Sequence, residues 1–264
     1  MVRPLDTKDS YKSVAMSSTN ATTSSATYAI RFKNDDAIEV GLDEAGRGCL
    51  FGRLYVGAVV FAKDEDDFFD NGAGLKTIRD SKTLSERKRG ILFDYIQDAA
   101  LDKAVAFAEA AEVDEFNVLQ ADLRCMHRAL EALTVPVDRI LVDGDCWKPW
   151  RNPAGEVVEA HVVVDGDASY LSIAAAGILA KVSRDRWVAE VCADDAALQE
   201  RYGLLSNKGY GTAAHMRGLQ THGAVDQHRR SFAPVARALG LPVAAKAASG
   251  SKAIRKGLWA GADE

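Results

Sequence analysis

The sequence lacks the patterns that mark membrane, secreted and zinc-binding proteins. None of its apolar runs is long enough to span a membrane, and its N-terminus has no continuous apolar segment of the signal-peptide kind. Its four cysteines are widely separated, without a Cys-x-x-Cys pair, and its five histidines form no zinc-binding pattern. We therefore expect a cytoplasmic protein with neither a disulfide framework nor a zinc site.

The sequence also lacks the overall positive charge typical of nucleic-acid-binding proteins, but its charge is unevenly distributed. The formal net charge is −5, whereas residues 201–264 contain ten Lys and Arg against three Asp and Glu. An acidic centre beside a basic C-terminal part suits an enzyme that holds metal ions and contacts a phosphate backbone. A solvated charged surface is the simpler explanation when composition alone is considered.

Composition divides the chain into three parts. Residues 1–35 are rich in Ser and Thr and poor in large apolar side chains, which predicts a disordered tail because too little surface can be buried. Residues 36–240 are predicted to form the folded domain, including a basic and helical C-terminal part. Residues 241–264, rich in Ala, Lys and Gly, are predicted to be a flexible or partly helical tail.

Hydrophobic periodicity predicts an α/β domain. Two strands joined by a glycine-rich turn come first, which indicates a β-hairpin, and later strands are separated by helices. This order favours a mixed central β-sheet flanked by helices. A capping box, Thr83-x-x-Glu86, is predicted to open the first helix. The predicted strands are residues 38–43, 54–61, 104–108, 139–142 and 160–164, and further helices are predicted over 119–133 and 169–189.

The most informative stretch is Gly41-Leu42-Asp43-Glu44-Ala45-Gly46-Arg47-Gly48. An apolar run ends there in two adjacent carboxylates, which are costly to bury unless a cation or a polar network compensates them. The glycines let backbone N–H groups approach a ligand closely, and Arg47 can bind a phosphate through its forked guanidinium. The stretch therefore predicts a hard cation next to a phosphate.

Acidic side chains follow three predicted strands: Asp43 and Glu44, then Asp143, then Asp165 or Asp167. Strand ends gather at one edge of an α/β sheet, where ligands usually bind. Oxygen ligands without paired His or Cys indicate Mg²⁺ or Mn²⁺. Taken singly, each Asp-Gly-Asp is more often only a turn. Because consecutive strand residues point to opposite faces, the first two acids share a site only if the chain bends between them.

Eight blocks in order make the sequence resemble ribonuclease HII over about residues 36–240. They are Gly41 to Gly48; Asp80-Ser81-Lys82-Thr83-Leu84; Asn117-Val118-Leu119-Gln120; Leu141-Val142-Asp143-Gly144; Gly166-Asp167; Ser172 to Asp185; Lys208-Gly209-Tyr210-Gly211-Thr212; and His228-Arg229-Arg230-Ser231-Phe232.

The resemblance implies a ribonuclease H-like fold and a catalytic domain that hydrolyses the RNA strand of RNA–DNA hybrids. It also implies nicking 5′ of single ribonucleotides in duplex DNA, with 5′-phosphate and 3′-hydroxyl products. Two Mn²⁺ or Mg²⁺ ions are the implied cofactors, and a monomer without a membrane partner is expected. The implied metal ligands and catalytic residues are Asp43, Glu44, Asp143 and Asp167. The implied substrate contacts are Gly46, Arg47 and Gly48 at the 2′-hydroxyl, Ser81 and Lys82 at phosphate, and Tyr210 on the following sugar.

The sequence departs from the family's pattern at four positions near these blocks, one of which is Asp145 in place of a frequent asparagine. Cys49 replaces a usual proline and is expected to change the stiffness of the glycine turn. Asp165 replaces a common lysine, so the choice between Asp165 and Asp167 stays open. Gly177 replaces a usual serine inside a helix, which costs about 1 kcal/mol relative to alanine and is expected to touch no catalytic group.

Two alternatives remain for individual residues and two for the function. Tyr210 is alternatively a core aromatic, and Arg229–Arg230 is alternatively a solvated pair. The rival functions are a ribonuclease H-like nuclease or resolvase with another substrate, and a non-catalytic nucleic-acid-binding protein.

Overall fold

A five-stranded mixed β-sheet lies at the centre of the structure, a computed structural model that describes residues 28–62 and 78–243. The strands are β1 (Glu39–Ala45), β2 (Leu54–Val60), β3 (Asp102–Ala108), β4 (Arg139–Asp143) and β5 (Glu159–Val163), in the spatial order β3-β2-β1-β4-β5. β2 pairs antiparallel with both β1 and β3, while β4 pairs parallel with β1 and β5. The predicted hairpin and mixed sheet are confirmed.

Helices cover both faces of the sheet. The described helices are α1 (Glu86–Ala99), α2 (Ala110–Phe116), α3 (Val118–Glu131), α4 (Leu171–Asp194), α5 (Ala196–Tyr202), α6 (Leu204–Asn207), α7 (Ala213–His222) and α8 (Ala233–Ala238), with short 3₁₀ turns at Ser81–Thr83 and Gly166–Ala168. One apolar core lies between the sheet and α3, and a second lies between the sheet and α1 and α4. Every residue of β2 is buried, and its sequence, LYVGAVV, contains no charged side chain. Such a composition is expected for a strand that is covered on both faces.

Helix α4 packs on the sheet through backbone contacts, and the small alanine side chains in its first half permit this close approach. A Cβ added at Gly41 of β1 would lie 2.3 Å from the carbonyl carbon of Ser172, and one at Gly57 of β2 would lie 2.2 Å from the Ala176 carbonyl oxygen. Any side chain at these two strand positions would push the helix away. The glycines therefore set the distance between α4 and the end of β1, where the site is formed.

The first helix begins two residues later than its predicted capping box. Ser85 is the N-cap of α1 and accepts a hydrogen bond from the Lys88 amide at 3.3 Å. Thr83 lies instead in the preceding 3₁₀ turn, where its hydroxyl donates to the Asp80 carbonyl at 2.8 Å. Both Thr and Ser are favoured N-cap residues. Thr83 is part of the 3₁₀ turn that precedes α1, so Ser85 takes the N-cap position.

The predicted boundary at residue 35 does not match the contacts of the segment before it. Backbone hydrogen bonds join Ala29 to Ser169 and Leu171, and the Asp35 carboxylate contacts the Arg139 guanidinium at 2.6 Å. Residues 28–35 therefore pack on the domain. The rest of the N-terminal tail, 1–27, lies outside the described residues, as does most of the C-terminal one, 244–264.

Helices α5 to α8 form the predicted helical C-terminal part, with an apolar core of its own. This core includes Phe51 from the loop after β1 and Val188 and Cys192 from the end of α4. The packing brings the segment after α6 and the residues before α8 against the glycine turn. Among the described helices, none is long and apolar enough to cross a membrane.

Substituting Gly41 tests the close approach of α4. Gly41→Ala is expected to lower the free energy of unfolding by about 2–3 kcal/mol, because the added methyl group collides with the backbone at Ser172. Gly90→Ala in α1 is the matched control, since nothing lies within 4 Å of its added Cβ. It is expected to raise that free energy by about 0.5–1 kcal/mol. Urea unfolding measures both, and equal effects of the two substitutions would contradict the close packing.

Candidate active site

Three carboxylates from separate parts of the chain meet at one edge of the sheet. Asp43 lies on β1, Asp143 ends β4, and Asp167 lies in the 3₁₀ turn after β5. One oxygen of each lies within 4.8 Å of the other two. Asp43 and Asp167 are buried, while Asp143 is half-buried. The parallel pairing of β1 with β4 and β4 with β5 is what brings these strand ends together.

The turn after β5 selects Asp167 over Asp165. The Gly166 amide donates to Asp143 Oδ1 at 2.8 Å, which ties this turn to the end of β4. Asp165 adopts a left-handed backbone, φ 54°, and its side chain is exposed, whereas Asp167 turns inward. The choice that the sequence left open therefore falls on Asp167 in the structure.

Burial and clustering raise the pKa of two of these carboxylic acids, Asp43 and Asp143. Burial, followed by the charges of Glu44 and Asp143, raises the pKa of Asp43 well above its usual value. Burial and the charge of Asp167 likewise raise the pKa of Asp143. A divalent cation relieves both effects, and carboxylate oxygens are the donors that Mg²⁺ and Mn²⁺ prefer. The three residues therefore fit a divalent metal ion.

Lys82 contacts one of these acids. Its ammonium lies 2.9 Å from Asp167 Oδ2, and this hydrogen bond raises the pKa of Lys82. The neighbouring Ser81 is buried, and both residues line the same cleft as Asp43. That Ser81 and Lys82 hold a backbone phosphate stays a prediction.

Glu44 points away from the group of three. β1 continues to Ala45 without a bend between the two adjacent acids, so their side chains lie on opposite faces of the strand. Asp43 points toward α4, whereas Glu44 Oε1 lies 3.5 Å from Arg47 Nη1 on the side of α3. Glu44 still lines the cleft.

Gly177 touches a predicted catalytic residue, contrary to expectation. A Cβ added at this position of α4 would lie 2.2 Å from Asp43 Oδ2. The Asp43 carboxylate therefore occupies the space that a side chain at position 177 would fill. A side chain here, such as the serine that the family resemblance implies, would change the surroundings of Asp43 as well as the helix propensity.

Two buried arginines donate hydrogen bonds to backbone carbonyls in the glycine turn and in the segments next to it. Arg229 donates to the carbonyls of Gly46 at 2.8 Å and Arg47 at 3.0 Å. Arg184 donates to the carbonyls of Arg53, Phe51 and Lys208. Gly46 has φ 91°, and an added Cβ there would lie 2.1 Å from Arg184 Nε. The turn thus requires glycine for both its backbone conformation and its space.

The burial of Arg229 corrects the alternative that Arg229 and Arg230 form a solvated pair. Arg229 is fully buried, so it is not half of a solvated pair, whereas Arg230 is exposed. The guanidinium of Arg229 gives up hydration for carbonyl partners in the turn. Arg184 was not predicted, because it lies among other charged residues in the second half of α4 and the sequence there does not show which of them is buried.

Tyr210 stands at the mouth of the cleft. It is 43% exposed and so is not a core aromatic. Its backbone is held at the end of a chain of hydrogen bonds: the Val225 amide donates to His228, His228 contacts His215 at 3.0 Å, and His215 contacts the Tyr210 carbonyl at 3.0 Å. Since the Val225 amide must donate to His228 Nδ1, both rings are neutral and each shares one proton along the chain.

Cys49 connects the glycine turn to the segment that carries Tyr210. Its buried thiol lies 3.6 Å from the Lys208 carbonyl oxygen, and burial raises the pKa of that thiol. A proline at this position has no side-chain donor for the contact. Whether Cys49 alters the stiffness of the turn stays a prediction.

One cleft of about 190 Å³ collects most of the predicted site. It is lined by Asp43, Glu44, Ala45, Gly46, Arg47, Gly48, Ser81, Lys82, Asp143, Lys181 and Tyr210. Lys181 was not predicted; its ammonium pairs with Asp185 at 2.7 Å and lies 5.9 Å from the centre of the Tyr210 ring. The cleft therefore combines clustered acids, an open glycine turn, an aromatic face and basic side chains.

A mixed five-stranded sheet with clustered acids at adjoining strand ends defines a divalent-metal-dependent hydrolase with a ribonuclease H-like fold. Solved structures agree on the fold. The ribonuclease H2 of Pyrococcus horikoshii OT3 superposes with a TM-score of 0.58 and 24% identity, covering 76% of this chain and 96% of that one. Bst-RNase HIII in complex with Mn²⁺ gives a TM-score of 0.56 and 18% identity, covering 77% and 70%.

Sequence comparison identifies the family. The family model described as Ribonuclease HII matches residues 40–235. The ribonuclease HII of Acidovorax ebreus is 44% identical over 205 residues, covering 78% of this chain and 90% of that protein. The ribonuclease HII of Acinetobacter baylyi is 41% identical over 204 residues, covering 76% and 97%. The chain belongs to the ribonuclease HII family, whose members hydrolyse the RNA strand of RNA–DNA hybrids.

The histidine chain behind Tyr210 predicts a pH-dependent stability. Burial and the neighbouring His215 lower the pKa of His228 to about 4, below its usual value of 6.5. The neutral ring therefore stabilises the fold fully above pH 6.5, and this contribution is lost as the pH falls toward 4. We expect the stability advantage of the natural protein over His228→Gln to shrink by about 1–2 kcal/mol between pH 7.5 and pH 5.

Urea unfolding at the two pH values measures this change. His222→Gln is the matched control, because His222 is exposed at the end of α7. An advantage over His228→Gln that stays constant or grows on acidification would contradict the neutral pair.

Proposed function

We propose that the protein nicks duplex DNA on the 5′ side of single embedded ribonucleotides, in addition to hydrolysing the RNA strand of longer hybrids. The products are a 5′-phosphate and a 3′-hydroxyl. The observation that supports this proposal is the meeting of three carboxylates with oxygens within 4.8 Å of one another, two of which, Asp43 and Asp143, line the cleft that the glycine turn borders. Because that cleft is formed within one chain, the proposed active form is a monomer.

The proposed metal site holds two Mn²⁺ or Mg²⁺ ions. Asp43, Asp143 and Asp167 are the proposed ligands of one ion, and Glu44, which lines the same cleft from the opposite face of β1, is the proposed fourth ligand. Two such ions, when bound, lower the pKa of an attacking water and neutralise the departing 3′ oxygen. The residues themselves fix the positions of the charges, since Asp143 is held by the Gly166 amide at 2.8 Å.

The proposed ribose sensor is the turn Gly46-Arg47-Gly48. A 2′-hydroxyl is the group that locally distinguishes RNA from DNA. Nothing among the described residues lies within 4 Å of a Cβ added at Gly48, so this face of the turn is open to a ligand. The buried Arg229 holds the opposite side through the carbonyls of Gly46 and Arg47. Backbone groups of the turn are thus fixed in place before a substrate arrives.

The proposed contacts to the rest of the substrate lie on either side of this turn. Tyr210 presents an exposed ring at the mouth of the cleft for the sugar that lacks a 2′-hydroxyl. Lys82 has a largely exposed side chain, so its ammonium can bind a backbone phosphate near Ser81. A long flexible ammonium suits a phosphate contact without base specificity.

Removing one carboxylate tests the metal site. Asp167→Asn is expected to lower kcat by about 100-fold or more, because each ligand charge supports several kcal/mol of charge stabilisation in the transition state. Asp165→Asn is the matched control, an exposed aspartate two residues earlier in the same turn, and is expected to stay within about threefold. Cleavage of a duplex with one ribonucleotide, in Mn²⁺ and with chelator, measures both.

The same assay separates the rival functions. A nick 5′ of the single ribonucleotide that disappears with chelator supports the proposal. Cleavage of long hybrids without that nick would contradict single-ribonucleotide recognition, and binding without any cleavage would favour a non-catalytic protein. Equal activity of the two aspartate variants would contradict the proposed ligand set.

A further inference from the structure

A buried acid lies behind the glycine turn, outside the group of three carboxylates. Asp122 of α3 is 2% exposed. Among the described residues, none donates a hydrogen bond to its Oδ1, which is also buried. A buried carboxylate with an unpartnered oxygen lowers stability, so the fold alone gives no reason for it.

The cation nearest to Asp122 belongs to the turn. Arg47 Nη1 lies 3.7 Å from Asp122 Oδ2 and 3.5 Å from Glu44 Oε1. One guanidinium therefore lies between an acid of β1 and an acid of α3, at distances longer than an ordinary hydrogen bond. The Arg47 side chain is 39% exposed, so its remaining N–H groups reach the solvent of the cleft.

We propose that Asp122 is a positioning residue for substrate binding, which acts by holding the Arg47 side chain beside Glu44. This inference rests on the proposed role of the Gly46-Arg47-Gly48 turn in substrate binding, with the forked guanidinium of Arg47 as the contact to a phosphate. Drawn toward α3, the guanidinium stays clear of the backbone of the turn and keeps a fixed position toward a phosphate at the edge of the cleft. Without Asp122, Glu44 alone holds Arg47, and the side chain loses part of its orientation before the substrate binds.

The position of Asp122 makes its functional and structural effects separable. Arg47 is partly exposed, so removing its partner leaves a charge that water can hydrate. Replacing a buried carboxylate by a neutral group of similar size is then expected to leave stability unchanged or to increase it. A residue that served only the fold would show the opposite effect.

The test measures KM, kcat and melting temperature of Asp122→Asn on a duplex with one ribonucleotide. We expect KM to rise about fivefold and kcat to stay within twofold, because Arg47 binds the phosphate equally in the ground and transition states. The melting temperature is expected to stay the same or to rise. Asp122→Leu provides a second variant without a polar group, and Glu131→Gln, an exposed acid of the same helix, is the control.

A double-mutant cycle with Arg47→Ala decides whether Asp122 acts through Arg47. In the Arg47→Ala background, Asp122→Asn is expected to change KM by less than 1.5-fold. An unchanged KM in the single variant, a full fivefold rise in the double variant, or a melting temperature several degrees lower would each overturn the inference.

The proposed function and this inference fail in different ways. If the natural protein does not nick the single ribonucleotide, the proposed function is wrong, and the same cycle is then measured on a long RNA–DNA hybrid. If the natural protein nicks but the cycle shows no coupling, only the role of Asp122 is wrong.

Discussion

Repulsion among buried carboxylates is the constraint on which the site depends. Asp43, Asp143 and Asp167 lie close enough to share an ion, and burial together with mutual repulsion raises the pKa values of Asp43 and Asp143. Hydrophobic packing of the surrounding sheet and of α4 holds the three in place despite this cost. The packing energy of the fold thus offsets the repulsion among the like charges. A divalent ion that binds between the carboxylates removes this repulsion, which favours its binding.

Backbone packing and buried arginines fix the parts that surround these acids. α4 approaches β1 and β2 at glycines, and Gly177 on the same helix leaves room for the Asp43 carboxylate. Arg184 and Arg229 bind carbonyls in and around the glycine turn, so its geometry is tied to α4 and to the C-terminal helices. A turn held in this way keeps its backbone groups in place before a ligand binds, as the proposed contact to a ribose requires.

The sequence predicted the sheet, its flanking helices and the meeting of the acids because those features follow from periodicity and from strand ends. Alternating strands and helices place Asp43 and Asp143 at one edge whatever the details of the loops. The geometry of local turns is harder to predict from the sequence. The left-handed backbone at Asp165 turns Asp167 inward, and Ser85 rather than Thr83 caps α1.

Contacts between distant segments were the hardest to predict. Glu44 and Asp122 meet at Arg47 only because α3 packs against the face of the sheet toward which Glu44 points. Arg229 looks like a surface residue in sequence, and its burial depends on the packing of the C-terminal helices against the turn. Neither contact leaves a local pattern in the chain.

Anomalous diffraction from crystals grown with Mn²⁺ tests the central claim most directly. The predicted result is a Mn²⁺ peak within about 2–2.5 Å of carboxylate oxygens of Asp43 and at least one of Asp143 and Asp167, as expected for oxygen ligands of such ions. Lys82 should then have left Asp167. Saturating Mn²⁺ that leaves these three carboxylates without an ion, or binds elsewhere in the cleft, would contradict the account.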